Sequence, residues 1–276
     1  MLHLANGDDA AAALRKAMLP GEVATWADCL DQGPLQGRPG TAQFRARRAE
    51  FLAGLGLGDQ RAQLDAWDAP LLLRPDEVVL WLEADLNCQL ALLHHLALRP
   101  ASLLLTPAPV AKYAPEELAA LLPMRSQPSA ALVGLAQAGW SAVTASDPRE
   151  VEKLLESDTS AMPFLAKALR RLLEELPAPK SGLSRTDRQV LETSGDFKAS
   201  QALEEEPFLT DLFFALRLEE LHGSGLITDG QLTSLGRDCL AGRLDYRTLA
   251  KPRPAFGVLL EGPSCYRWDG ARVLAP

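Results

Sequence analysis

The chain lacks paired cysteines, long apolar runs and an excess of positive charge. Its cysteines are scattered and form no C-x-x-C pair, so neither a zinc knuckle nor a disulfide framework is indicated; they are Cys29, Cys88, Cys239 and Cys265. No uninterrupted apolar stretch approaches the ~20 residues that a membrane helix needs, and the first residues do not have the order of a signal peptide. We therefore expect a cytoplasmic protein with no membrane partner.

The charge balance disfavours one class of partner. Lys and Arg number 28 against 36 Asp and Glu, which gives a formal net charge of −8. General nucleic-acid binding depends on a positive surface that displaces counterions from phosphates. Any contact with nucleic acid must therefore be local.

The first half of the chain alternates strands with helices. With 276 residues, the chain is long enough for two domains. Alternation of this kind favours a doubly wound parallel sheet, and we predict an α/β, Rossmann-like domain over residues 1–145. Its predicted strands are Met1–Ala5, Glu22–Trp26, Val78–Leu82 and Ser102–Thr106. The polar stretch Asp31–Gly40 is predicted as a loop.

The second half has a different pattern. A helical connector and a stiff Pro-rich linker are predicted over residues 146–180, followed by a winged-helix-like module with a short β tail over 181–276. This module has three predicted helices and then Asp229-Gly230, the dipeptide of a two-residue hairpin turn. The helix before the turn, Phe208–His222, carries few basic residues, so it is suited to burial and not to reading a DNA groove.

A basic run follows the predicted hairpin. Its members are Arg237, Arg243, Arg247, Lys251 and Arg253, with Asp238 and Asp245 among them. Two interpretations stay open, a local nucleic-acid contact and an ordinary solvated charged face.

Carboxylates follow the predicted strands at the same end of the sheet. They are Asp8, Asp28, Glu83 and Asp85. The carboxyl ends of parallel strands meet at one edge, so these groups could converge in one crevice. Carboxylates with waters and a substrate phosphate are typical ligands of Mg²⁺, so a magnesium site with a phosphate-bearing small molecule is predicted. Other predicted ligand-binding residues are Asn6, Gly7, Arg45, Arg48 and Gln89.

A structural interpretation of the same residues is also available and is favoured. Asp8 and Asp85 stand where helices begin, and an aspartate there satisfies free N–H groups. Asp28 would order the turn that follows it. Arg45 and Arg48, three residues apart on one helix face, would balance nearby acids instead of binding a phosphate.

Four motifs in order resemble a known family. They are Asn6-Gly7-Asp8, Trp26-Ala27-Asp28 with Gly33-Pro34, Leu80–Leu86 with Gln89, and Asp158–Phe164, with Gly182-Leu183-Ser184 in the linker. Together they resemble the bacterial domain-of-unknown-function 1835 family over most of the chain. The resemblance implies no assigned reaction. In similar members His often stands at the position of Ala84 and Asp at that of Cys88, so two polar groups of that site are absent here.

Two hypotheses from different classes follow. The first is an enzyme or ligand binder that acts through the carboxylates at the sheet edge, with hydrolysis or transfer at a phosphate as the expected chemistry. The second is a non-catalytic regulatory protein whose winged-helix-like module binds a protein partner or nucleic acid. The placement of the carboxylate oxygens distinguishes them.

Overall fold

The structure is a computed structural model that describes residues 1–276. The strands are β1 Leu2–Asn6, β2 Glu22–Trp26, β3 Gly33–Pro34, β4 Val78–Glu83, β5 Ser102–Thr106, β6 Ile227–Thr228, β7 Gln231–Leu232, β8 Arg253–Phe256, β9 Val258–Leu260, β10 Arg267–Trp268 and β11 Val273–Leu274. The α-helices are α1 Asp8–Lys16, α2 Ala42–Gly54, α3 Arg61–Leu72, α4 Leu86–Leu98, α5 Pro115–Leu121, α6 Ala130–Thr144, α7 Arg149–Leu155, α8 Leu165–Leu173, α9 Arg185–Glu192, α10 Phe197–Gln201, α11 Asp211–Gly223 and α12 Ser234–Leu240.

The central sheet has four parallel strands in the order β2-β1-β4-β5. Leu4 of β1 is in register with Leu80 of β4, and Leu80 with Leu103 of β5. The prediction of an α/β protein with a parallel sheet is therefore confirmed. All carboxyl ends of these strands lie at one edge, which is where the predicted site residues were expected.

Alternate residues of β4 enter different cores. Leu80 and Leu82 belong to the largest buried cluster, which also holds residues of α4, α6 and α8. Val79 and Trp81 point to the opposite face, where α1 and α5 cover the sheet. Helices therefore protect both faces, as the nearly continuous apolar sequence of β4 requires.

One glycine allows α6 to approach α4 closely. A Cβ atom added at the buried Gly139 would lie 2.6 Å from Cδ2 of Leu93. Such a distance is too short for two carbon atoms, so the contact between these helices depends on the missing side chain.

The C-terminal segment has its own small core. Leu183, Val190, Phe214 and Leu221 are among its buried members. The hairpin of β6 and β7 turns at Asp229 and Gly230, whose φ angles of 50° and 69° suit a two-residue turn. None of the helices has the length and apolarity that crossing a bilayer would require.

The stretch predicted as a loop over Asp31–Gly40 contains a strand. Gly33 and Pro34 of β3 pair in parallel with Ala255 and Phe256 of β8, and β9 completes a three-stranded sheet. The tail consequently packs on the α/β part, and Phe256 belongs to the largest core cluster.

We predict that the contact of α6 with α4 distinguishes two glycines of the same helix. Gly139→Ala should lower the free energy of unfolding by about 1–3 kcal/mol, because the new methyl group meets Leu93. Gly134→Ala is the matched control, since a Cβ there meets nothing within 4 Å. It should raise stability by roughly 0.5–1 kcal/mol through helix propensity. Urea denaturation measures both, and equal effects would contradict the packing argument.

Candidate functional site

The end of β4 and the start of α4 hold two carboxylates in defined positions. Glu83 Oε1 accepts a hydrogen bond from the backbone N–H of Val110 at 2.8 Å. Asp85 is the N-cap of α4, and its Oδ1 accepts from the N–H of Cys88 at 2.9 Å. Gln89, fully buried, donates to the carbonyl oxygen of Glu83 at 2.7 Å. Each carboxylate therefore uses one oxygen to accept a backbone hydrogen bond, which leaves its second oxygen for another partner.

Three potential metal ligands come together here. One ligand atom each from Glu83, Asp85 and Cys88 lies within 4.8 Å of the others. The carboxylates are partly exposed and the thiol is buried. Asn6, the last residue of β1, donates from Nδ2 to Cys88 Sγ at 3.1 Å. The cluster is referred to below as the edge triad, and its members come from one strand end and the first turn of the following helix.

The site disfavours negative charge until something compensates it. Burial raises the pKa of Glu83 to about 7, opposed by the Val110 hydrogen bond and assisted by the charge of Asp85. Burial also raises the pKa of Asp85. For Cys88, burial and the two neighbouring carboxylates hold the thiol pKa well above its usual range. A cation among these groups would favour their charged forms.

Asp31 is a further half-buried acid whose pKa is affected by the charge of Asp85, and it is not among the site residues predicted from the sequence. Burial raises its pKa to about 6, with a contribution from the charge of Asp85 and an opposing hydrogen bond from Gln32. Cys88 is also absent from the predicted ligands, since the sequence identifies it only as the position where similar family members have Asp. The spacing of Asp85 and Cys88, three residues apart on one helix, was the signal available for it.

Asp8 and Gly7 do not join the triad. Gly7 is the N-cap of α1 and has a φ angle of 102°, while Asp8 is exposed in the first turn of that helix. The structure therefore does not bring Asp8 together with Glu83 and Asp85. The position of Asp8 near the positive end of the helix dipole agrees with the structural interpretation.

Asp28 is also outside the triad, because it pairs with Arg48. Arg48 is fully buried, and its Nη2 lies 2.6 Å from Asp28 Oδ1. Arg48 donates further to the carbonyl oxygens of Cys29 and Gln32. A buried charge needs such partners, so neither residue is free to bind a metal or a phosphate. This corrects the predicted roles of both.

Arg45 is engaged by acids of α3. It forms ion pairs with Asp65, at 3.0 Å, and with Asp68. Asp68 also accepts a hydrogen bond from Trp26 Nε1 at 3.0 Å. Arg45 and Arg48, which were predicted to bind a phosphate, therefore both pair with acids of the protein itself.

The basic run of the C-terminal segment is not one positive surface. Arg247 is buried and donates to the carbonyl oxygens of Lys251 and Leu260. Arg253 is largely buried, with a side chain 13% exposed. Arg237, Arg243 and Lys251 are exposed. Arg243 pairs with Asp238, so few free cations remain for a phosphate backbone.

Comparisons of the chain with family models, curated proteins and solved structures gave no match. The functional argument therefore depends on the geometry of the chain's own residues.

We predict that Arg48→Met strongly destabilises the protein. The substitution leaves the buried Asp28 carboxylate without its cation, and such a loss costs about 3–5 kcal/mol. Arg243→Met, which breaks an exposed pair, is the matched control and should cost less than about 1 kcal/mol. Chemical denaturation compares them. A cost for Arg48→Met no larger than that of the control would contradict the role given to Arg48.

We also predict a pH-dependent effect of Glu83→Gln. The folded pKa of Glu83, about 7, exceeds its ordinary value of 4.5, so its contribution to stability is present below pH 4.5 and is lost as pH rises through 7. Glutamine cannot ionise. The variant should therefore gain about 1–2 kcal/mol over the wild type at ~pH 8 and little at ~pH 4. Denaturation at both pH values measures this, with the exposed Glu116→Gln as control. An equal difference at the two pH values would refute the assignment.

Proposed function

We propose that the protein binds a divalent metal ion through the edge triad and acts there on a phosphate-bearing small molecule, by hydrolysis or transfer at the phosphate. The observation that carries the proposal is the placement of ligand atoms from Glu83, Asp85 and Cys88 within 4.8 Å of one another. Their position at the carboxyl edge of a parallel sheet supports it, since ligands of such folds bind at that edge.

The donor set favours zinc over the magnesium expected from carboxylates alone. Zn²⁺ accepts thiolate and carboxylate ligands, whereas Mg²⁺ prefers oxygen ligands only. Three protein ligands leave one position of a tetrahedral zinc open, as in catalytic zinc sites. A metal there would polarise a phosphoryl oxygen or lower the pKa of a bound water. Because Arg45 and Arg48 are paired internally, the metal would supply the positive charge that meets the phosphate.

Hydrogen bonds that neighbouring residues make to the edge triad support the same proposal. The Asn6 amide donates to the Cys88 sulfur, which favours the thiolate and fixes its orientation. The Val110 N–H and the Gln89 side chain hold the end of β4, from which Glu83 projects. Partners of this kind orient metal ligands and commonly affect affinity about 10–100-fold.

For the C-terminal segment we propose a winged-helix-like arrangement over residues 181–276. Helices α9, α10 and α11 followed by the β6–β7 hairpin support it. The helix before the hairpin, α11, buries Phe213, Phe214 and Arg217, so we propose that the module packs on the α/β part and does not read a DNA groove. Membership of the domain-of-unknown-function 1835 family and a cytoplasmic location remain proposals, supported by motif order and composition.

We predict that each chain binds one zinc ion and that substitutions in the edge triad weaken this binding. Cys88→Ser and Glu83→Gln should each weaken Zn²⁺ binding about 100-fold or more, and Asn6→Ala about tenfold. Isothermal titration calorimetry of the metal-free protein measures the dissociation constants. Activity is then tested with 4-nitrophenyl phosphate in the presence of zinc.

Cys265→Ser is the control, because Cys265 is a buried free thiol outside the triad. It should leave zinc affinity unchanged. If Cys88→Ser binds zinc as tightly as the wild type, the metal site is not the edge triad. If zinc binds as predicted and no phosphate ester is cleaved, metal binding stands and the reaction class is refuted.

A further inference from the structure

One buried arginine of the C-terminal segment has no acidic partner. Arg247 is 1% exposed, and its Nη2 donates to the carbonyl oxygens of Lys251 and Leu260 at 3.1 and 2.7 Å. Its Nε and Nη1 atoms are buried without a hydrogen-bond partner. Each of the other buried arginines pairs with an Asp or a Glu; they are Arg48, Arg217 and Arg267. A buried cation with free donors and no counter-charge is costly, so it calls for an explanation.

The guanidinium group of Arg247 faces the thiol of Cys265. It favours the ionised form of that thiol through its charge and a hydrogen-bond contact, and Arg267 adds a second positive charge. The contact does not satisfy Nε and Nη1 of Arg247, since a thiol is a weak acceptor. Cys265 is buried, but Pro263 and Ser264 directly before it are exposed. A small reagent therefore has only a short path to the sulfur.

The charges that act on the other three thiols have the opposite sign. Burial raises the pKa of all four cysteines. At Cys29, Cys88 and Cys239 the largest charge contributions come from carboxylates, which raise the pKa further. At Cys265 they come from Arg267 and Arg247, which lower the pKa and so oppose the effect of burial. Reactive cysteines are found in such electropositive surroundings.

We propose that Cys265 is a modification site, at which a hydroperoxide oxidises the thiol to a sulfenic acid whose oxygen Arg247 binds. The thiolate sulfur attacks one peroxide oxygen, so that an S–O bond forms and the O–O bond breaks. The leaving hydroxide takes up the proton that the thiol released, which gives water when the oxidant is hydrogen peroxide. Two electrons pass from the sulfur to the peroxide. The proposal is independent of a metal at the edge triad.

The oxidised sulfur supplies what Arg247 lacks. An oxygen atom on the sulfur is a better acceptor than the thiol for the free N–H groups of the guanidinium. Ionisation of the sulfenic acid, or its further oxidation to a sulfinate, adds the negative charge that pairs with the buried cation. An anion at this position should therefore be stabilising, whereas an unpaired charge at an ordinary buried thiol is destabilising.

Mapping of the oxidised cysteine tests the site. The full-length protein is treated with hydrogen peroxide in the presence of EDTA. Catalase then removes the oxidant, and dimedone in urea labels every sulfenic acid for peptide mass spectrometry. Cys265 should be oxidised at least about tenfold faster than Cys29, although Cys29 is the more exposed thiol. Oxidation of Cys29 at the same rate or faster, or no oxidation of Cys265, would overturn the proposal.

Arg247→Met tests the role of the guanidinium. The substitution removes the positive charge and the donors that face the sulfur, so it should slow the oxidation of Cys265 at least about tenfold. The rate for Cys29 in the same protein is the internal control and should not change. An unchanged rate for Cys265 in the folded variant would contradict the role given to Arg247.

A matched set of substitutions keeps the proposal testable if the Arg247→Met protein does not fold. Cys265→Asp places an anion beside Arg247, and Cys265→Asn places an uncharged group of the same size there. The Asp variant should have a Tm about 2–4 °C above that of the Asn variant at ~pH 7. At Cys239, where carboxylates prevail, the Asp variant should melt below the Asn variant. No difference at Cys265, or a difference of the same sign at both positions, would show that the site is not arranged for an anion.

Discussion

The buried guanidinium of Arg48 holds together the segment that connects the end of β2 with β3, the strand on which the C-terminal tail pairs. It pairs with Asp28 at the end of β2 and donates to the carbonyl oxygens of Cys29, Gln32 and Pro34. These bonds fix the segment from Asp28 to Pro34 in one conformation. Removing a charged group from water is unfavourable, so only a nearly complete set of partners makes such an arrangement stable.

Consequences of this arrangement extend in two directions. Toward the sheet edge, the N–H of Leu30 donates to Asn87 of α4, beside the edge triad. Toward the C-terminus, β3 pairs with β8 and brings the tail against the α/β part. Asp31 belongs to the same segment, and the charge of Asp85 contributes to the raised pKa of its carboxyl group.

Local patterns were sufficient to predict the parallel sheet and the position of Glu83 and Asp85. When an apolar strand of a parallel sheet ends on carboxylates and a helix follows directly, the carboxylates lie at the carboxyl edge of the sheet. Patterns were insufficient where an interaction joins distant residues. Asp28 and Arg48 were predicted as ligands but pair with each other. Tertiary packing, and not the local sequence, decides which acid lies beside an arginine. The parallel pairing of Gly33 with Ala255 has no local signal at all.

The central claim is that Glu83, Asp85 and Cys88 bind a metal ion together. X-ray absorption spectroscopy at the zinc edge, on protein loaded with one equivalent of Zn²⁺, tests it most directly. The account predicts one sulfur neighbour at about 2.3 Å and oxygen neighbours at about 2.0–2.2 Å, with the sulfur lost in Cys88→Ser. A first shell without sulfur in the wild type, or a sulfur that persists in the Cys88→Ser variant, would contradict it.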